Sequence, residues 1–320
     1  MKNILITSAG RRVSLVMEFK QAAALIDKGI KVFTADRLPL LAPACHVSDG
    51  SFEVRFATAE GYIDEIIENC KVYDIGIVIP TLDTCLPVLA KNKLLFEENG
   101  INVIISSFEL VDICRYKDKT IRFFNEHNIR CPKLIDIKNP SFPMFAKPID
   151  GSSSKGTLRI MSEKDLSANV KCNANLLFME YVDNKEYREF TVDMYYGRDN
   201  HVKCIVPRER IEVRSGEVSK GITRKNYLVD FLKERFEHLP GVVGCICIQL
   251  FYRECDNDVL GIEINPRFGG GYPLSFYAGA NFPKMLLEEY LLGRQIEYSD
   301  DWQNNVLMLR YDAEVISHGQ

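Results

Sequence analysis

The chain has no apolar run approaching the ~20 residues that a membrane-spanning helix needs. Its opening, MKNILITSAG, is a short strand-like run that meets charge at Arg11 and Arg12, so it offers no apolar core of signal-peptide length. A cytoplasmic protein with no membrane partner is expected. Paired cysteine spacing is also missing: the 10 cysteines are scattered, and without an export signal they are expected to be reduced and buried. Cys245-x-Cys247 with Glu263 has no histidine nearby to complete a zinc site. Excess positive charge is lacking, with a net charge of -4, which argues against general affinity for nucleic acid but leaves room for a local basic patch. Two phosphate-binding loops are absent as well. The first turn reads S-A-G-R-R rather than G-x-G-x-x-G, which excludes a dinucleotide site of that kind, and no G-x-x-x-x-G-K-[ST] occurs.

What is present is ordinary globular composition, 46% hydrophobic and 26% charged over 320 residues, enough for two or three subdomains. Strand-like runs at 3–8, 31–35, 75–80 and 102–106 alternate with helical patterns at 13–28, 59–70 and 84–97, which predicts an open parallel sheet. Ligands of such sheets bind beyond the carboxyl ends of the strands. That places Arg11, Arg12, Thr81 and Asp83 as candidate contacts for an anionic substrate. A helix is expected over 109–130. Next, residues 142–161 read strand, Gly/Ser loop, strand; Ser152, Ser153, Ser154, Lys155 and Gly156 would let backbone and hydroxyl donors approach phosphate. A helix at 163–171 and a strand at 176–182 follow. Antiparallel strands are expected from 190 onward, then a helix at 226–238, a helix at 283–292 and an edge strand at 306–315. In the basic stretch 207–225, Arg214 and Lys220 are the candidates for phosphate or anionic-substrate contact.

The most informative stretch is 241–271, GVVGCICIQLFYRECDNDVLGIEINPRFGGG. Side chains alternate along a strand, so Glu263 and Asn265 share one face, and a hairpin with the preceding run brings Gln249 to them. Three oxygen-bearing side chains of low total charge suit Mg2+ better than Zn2+. Arg267 lies two residues beyond Asn265, where a guanidinium can clamp phosphate. Gly269 and Gly270 let the backbone approach a small substrate.

These same residues, E-I-N-P-R with a glutamine fourteen positions before the Glu, resemble the ATP-grasp superfamily. The Gln/Glu/Asn version looks like the carbamoyl phosphate synthetase large subunit and its short stand-alone relatives, including the ligase of pyrrolysine biosynthesis. The resemblance implies an α/β and α+β fold in three parts: an N-terminal open parallel, Rossmann-like sheet (1–115), a small lid subdomain (116–186) and an antiparallel C-terminal subdomain (187–320) carrying the metal. It also implies ATP contacts from Lys119 and Lys147, a mobile lid loop at 151–156, an adenine hinge at Glu180, Tyr181 and Val182, and a ribose contact from Glu189, for which Glu186 is a rival. ATP and Mg2+, with Mn2+ able to substitute, are the implied cofactors.

The implied chemistry is ligation of a small-molecule carboxylate to an amine or ammonia through an acyl phosphate, with Arg267 and Lys147 spreading the developing charge. The alternatives are bicarbonate activation and a non-catalytic ATP-binding regulator. No nucleic-acid partner is expected; a homodimer is allowed.

Overall fold

The computed structural model describes residues 1–150, 156–214 and 216–318. Its first sheet contains β1 (Asn3–Thr7), β2 (Val32–Asp36), β3 (Gly50–Glu53), β4 (Ile75–Pro80) and β5 (Asn102–Val103), joined through α1 (Val13–Ile26), α2 (Pro43–Val47), α3 (Tyr62–Val72), α4 (Leu86–Lys91) and α5 (Lys93–Glu98). All neighbours pair in parallel, in the order β3-β2-β1-β4-β5. Helices cover both faces, which is why the centre of β1, Ile4 to Ile6, is a continuous apolar run. Ile4 and Ile6 pack on Val16 and Phe19 of α1, while Leu5 joins Ile66, Leu89 and Phe96 on the other side. Strand β3 was not anticipated, since G-S-F-E has no apolar run and pairs only at the sheet edge. The expected helix 84–97 divides at Asn92.

The expected helix 109–130 is two, α6 (Phe108–Arg115) and α7 (Lys117–Glu126), broken at Tyr116, whose backbone is extended. On sequence order alone α7 falls in the lid subdomain. It packs instead on the large sheet: a Cβ placed on Gly261 would meet the Phe124 ring at 2.6 Å, and the Gly261 N–H donates to Arg130 O at 2.7 Å.

A small antiparallel sheet follows, order β7-β6-β8, from β6 (Met144–Pro148), β7 (Leu158–Ile160) and β8 (Leu176–Glu180). It has its own core of Met144, Ala146, Ile160, Leu166 and Phe178. In place of the expected helix 163–171 there is a 3-10 turn and the short α8 (Ala168–Lys171).

The third sheet is antiparallel, order β13-β12-β9-β10-β11-β14. It comprises β9 (Arg188–Tyr196), β10 (Val202–Arg214), β11 (Glu217–Thr223), β12 (Gly244–Arg253), β13 (Asp258–Asn265) and the edge strand β14 (Leu307–Leu309), with α9 (Leu228–Phe236), α10 (Pro273–Tyr277) and α11 (Phe282–Leu292). One apolar cluster runs from α1 into this sheet's helices, with Phe19 meeting Phe268 edge-on at 5.6 Å between centroids. The carboxyl end of the parallel sheet is thereby held against the loop that follows β13. Gln249 opposes Glu263 and Leu250 opposes Gly261, so Ile262 is an extra, bulged residue on β13.

Candidate functional site

A cavity of about 940 Å³ opens between the three sheets. Its wall on the large sheet is the β12–β13 hairpin. Directly opposed residues of an antiparallel pair share a face, and the register sets Gln249 against Glu263 and Cys247 against Asn265. Both amides converge on one carboxylate oxygen: Gln249 Nε2 donates to Glu263 Oε1 at 2.7 Å, and Asn265 Nδ2 donates to the same oxygen at 3.1 Å. Each amide can turn its oxygen to where its nitrogen lies. One carboxylate and two amides, all able to present oxygen, form a donor set that fits a hard divalent cation.

Two lysines approach this carboxylate. Lys147 reaches from β6 and donates from Nζ to Ile262 O at 3.3 Å, the carbonyl of the bulged residue. Burial pushes the Lys147 pKa down to about 8, and Glu263 only partly opposes this. Lys117, at the start of α7, is buried and lines the same cavity; burial lowers its pKa, with Glu263 again opposing. Lys119 was the expected contact. It pairs with Asp112 and lies over the Tyr116 ring, 41% exposed, and it is not among the cavity-lining residues. The helical period explains the correction: Thr120 and Phe124 face inward, and Lys117, rather than Lys119, continues that stripe.

At the other end of the small sheet, Glu180, Tyr181 and Val182 line the cavity where β8 ends. Glu189 lines it from β9 and pairs with Arg210, Nε to Oε1 at 3.0 Å. Burial raises the Glu189 pKa, and Arg210 works against the rise. Its rival Glu186 sits outside, 64% exposed, with Arg253. Ser152, Ser153, Ser154 and Lys155 lie outside the described residues. Gly156 has φ +74, a conformation open to glycine, and abuts Pro148; it is the next residue, Thr157, that lines the cavity.

The opposite end of the cavity is built by chain segments remote in sequence. Arg267 is engaged by Asp83 of the parallel-sheet domain, Nε to Oδ1 and Nη2 to Oδ2 each at 2.7 Å. Burial works against the Arg267 charge and Asp83 more than offsets it, so its pKa lies above the usual arginine value. Arg12 also lines this end and donates from Nη2 to Thr81 O at 3.3 Å. Burial, and then Arg267, lower its pKa to about 10. Gly269 and Gly270 line the floor.

Four expected substrate contacts are not brought here. Arg11 is exposed and Thr81 is buried, its hydroxyl bridging Thr7 O and Ser8 O at 3.0 and 2.9 Å. Arg214 pairs with Asp312 and Lys220 with Glu212, all near the surface. The β10–β11 register shifts between Arg210 and Val213, so strand alternation does not carry from the inward Arg208 and Arg210 to Arg214. Sequence reading passed over Arg208, a buried residue held by Asp193 through Nε at 2.7 Å and Nη2 at 2.8 Å. Ser275 Oγ and Cys247 Sγ complete the Asp193 shell at 2.6 and 3.1 Å. A strand-face count over 206–210 would have flagged it.

Two family models match the chain. One, described as the PylC-like N-terminal domain, matches residues 4–104, and one described as ATP-grasp in the biosynthetic pathway with Ter operon matches residues 173–312. No curated protein matches. Among solved structures, N5-carboxyaminoimidazole synthetase from Staphylococcus aureus complexed with ADP is 17% identical, with a TM-score of 0.72 over 93% of this chain and 79% of that one. A biotin carboxylase–β-γ-ATP complex from Campylobacter jejuni is 15% identical, TM-score 0.71, over 96% and 74%. An L-amino acid ligase from Bacillus licheniformis is 19% identical, TM-score 0.65, over 91% and 74%. At these identities the likeness to solved structures is one of fold. With its parallel N-terminal sheet, small antiparallel sheet and large antiparallel sheet, the chain has the ATP-grasp fold, and an ATP-grasp family model matches its residues 173–312.

Proposed function

We propose that the chain is an ATP- and Mg2+-dependent ligase that joins a small carboxylic acid to an amine or ammonia through an acyl phosphate. The observation that carries this is the convergence of Gln249 and Asn265 on Glu263 Oε1 in a cavity that Lys147 and Arg267 also line. The named solved structures, complexed with ADP or β-γ-ATP or named as a ligase, support the class.

Glu263, Gln249 and Asn265 would hold Mg2+, which supplies charge neutralisation at the phosphates when bound. Glu189 is suited to accept hydrogen bonds from ribose hydroxyls, and the residues at 180–182 to meet the adenine edge. Burial disfavours the charged form of Lys147; a phosphate beside it favours that form. Arg267, oriented by Asp83, presents its remaining N–H donors to the group being transferred. A carboxylate oxygen of the acid attacks the γ-phosphorus, the bond to the β-phosphate oxygen breaks, and ADP departs. The amine nitrogen then attacks the acyl carbon and loses a proton. The carbon–oxygen bond to phosphate breaks, leaving amide and inorganic phosphate. No side chain forms a covalent bond, so the protein contributes position and charge.

The test is ADP release with MgATP and combinatorial pools of acids and amines, followed by an acid labelled with oxygen-18 in its carboxylate. Label appearing in inorganic phosphate supports the acyl phosphate route. ADP release that needs no acid, or phosphate free of label, overturns it.

A further inference from the structure

Within the cavity, the basic side chains differ in whether their charge is already matched. Arg208 is matched by Asp193, Arg267 by Asp83 and Arg210 by Glu189. Arg310, reaching the rim from beyond β14, is matched by Glu217 and also donates to Gly270 O. Arg12 pairs with no carboxylate among the described residues; its one side-chain hydrogen bond is to the neutral carbonyl of Thr81. The carboxylates whose fields reach it, Glu217 and Asp83, are those committed to Arg310 and Arg267. This end of the cavity therefore carries an uncompensated positive charge.

A second observation points the same way. Arg208 is buried, yet its Nη1 has no hydrogen-bond partner among the described residues. It faces the floor so closely that a Cβ on Gly271 would lie 2.4 Å from it. A Cβ on Gly269 would lie 2.9 Å from Cys247 Sγ, and one on Gly270 would lie 2.7 Å from the Glu217 carboxylate. The floor is bare because Cys247, Glu217 and Arg208 already occupy the positions that side chains there would need. An unused buried donor is destabilising if nothing ever pairs with it.

Building on the ligase reading above, we propose that Arg12 anchors a carboxylate of the acid substrate, that Arg208 Nη1 offers that substrate a further donor, and that the acceptor end selects small anionic acids over neutral or cationic ones. Arg12 is thus a specificity-determining residue. It stands at the carboxyl end of β1, on the domain that contributes least to the nucleotide end. A guanidinium gives a carboxylate two parallel hydrogen bonds, a geometry lysine cannot copy.

The experiment loads the full chain with Mg2+ and a non-hydrolysable ATP analogue, so that the γ-phosphate position is filled, and titrates acetate, succinate and L-glutamate, each beside its neutral amide counterpart, by calorimetry. The expected result is that at least one carboxylate binds, that its amide binds roughly tenfold or more weakly, as for a lost charged hydrogen bond, and that Arg12→Gln removes this preference while nucleotide affinity holds within about twofold. Arg12→Lys should recover part of the preference, and Arg11→Gln, at the exposed neighbour, should change nothing. Unchanged thermal unfolding of each variant shows that the fold is intact. Binding of no carboxylate, or carboxylate binding that Arg12→Gln leaves untouched, overturns the proposal. ADP release separates the two readings. Arg12-dependent anion binding with no acid-dependent ADP release leaves the anchor and removes the ligase; acid-dependent ADP release with an unaltered KM for the acid in Arg12→Gln does the reverse.

Discussion

The two ends of the cavity are made differently. At the proposed nucleotide end the groups come from two short stretches, Glu180 to Glu189 and the β12–β13 hairpin with Gln249, Glu263 and Asn265. At the proposed acceptor end they come from the turn after β1, the turn after β4, mid-β10 and the loop after β13, so Arg267 meets Asp83 across 184 positions. The first kind of site is set by local register, the second by how two domains pack. Substitutions at the first should remove chemistry while sparing the fold, and those at the second should couple chemistry to domain packing.

The largest expected effect tests the first half of that contrast. Glu263→Gln removes the one full negative charge from the proposed metal ligands, and ADP release should fall roughly a hundredfold or more, the scale of losing one preorganised charge stabiliser. Nucleotide should still bind, and Gln249→Ala should cost less. Parallel calorimetry and ADP-release assays decide it; full activity of Glu263→Gln at limiting Mg2+ would make the hairpin merely structural. Next in size is Asp83→Asn, which leaves Arg267 half-buried beside a neutral amide. Turnover should drop by about tenfold to fiftyfold, on the order of 1.4–2.3 kcal/mol, and the melting temperature should fall as well because the pair links two domains. A loss of rate with no change in melting would erase the proposed difference between the ends.

How far the sequence reached follows the same division. Gln249, Glu263 and Asn265 were legible because alternation along two short strands needs no tertiary knowledge, and the bulge at Ile262 lies outside the interval between Glu263 and Asn265. The parallel sheet was legible because its strands are buried on both faces. Lys117 was missed for Lys119 because helix phase was not counted from Thr120 and Phe124. Arg214 and Lys220 were chosen because basic residues cluster there. A register shift and surface carboxylates draw them away, and no one-dimensional signal marks either. Asp83 and Arg267 were each singled out in the sequence, but their pairing was not legible, since no local spacing links residues 184 positions apart.

A smaller effect sharpens the nucleotide end. Glu189→Ala should weaken ATP by about tenfold, the worth of a hydrogen bond to a charged acceptor, and leave a ribose-lacking analogue unaffected; equal weakening of both would remove the ribose assignment. The smallest effect concerns stability beneath the acceptor end. Glu18 of α1 is buried, neither carboxylate oxygen has a hydrogen-bond partner among the described residues, and burial, then Asp193, raise its pKa to about 8. The folded state thus holds a proton that the unfolded chain releases near pH 4.3. This contribution to stability is fully present below that pH and is lost as pH rises toward 8. Glu18→Gln should flatten the decline and raise the melting temperature by a few degrees at pH 8, with little change at pH 5. An unaltered pH slope would show that Glu18 finds a partner in solution.

The extra residue on β13 has a mechanical meaning. Because Ile262 is outside the ladder, the facing of Gly261 toward helix α7 and of Glu263 toward the cavity would be the same in a chain without it. What Ile262 adds is a carbonyl, which Lys147 takes. The small sheet is therefore tied to β13 through Lys147, the same lysine proposed above to serve phosphate. On the proposed reading, a phosphate that draws Lys147 away would loosen the small sheet at that point, because the Ile262 carbonyl would lose its donor.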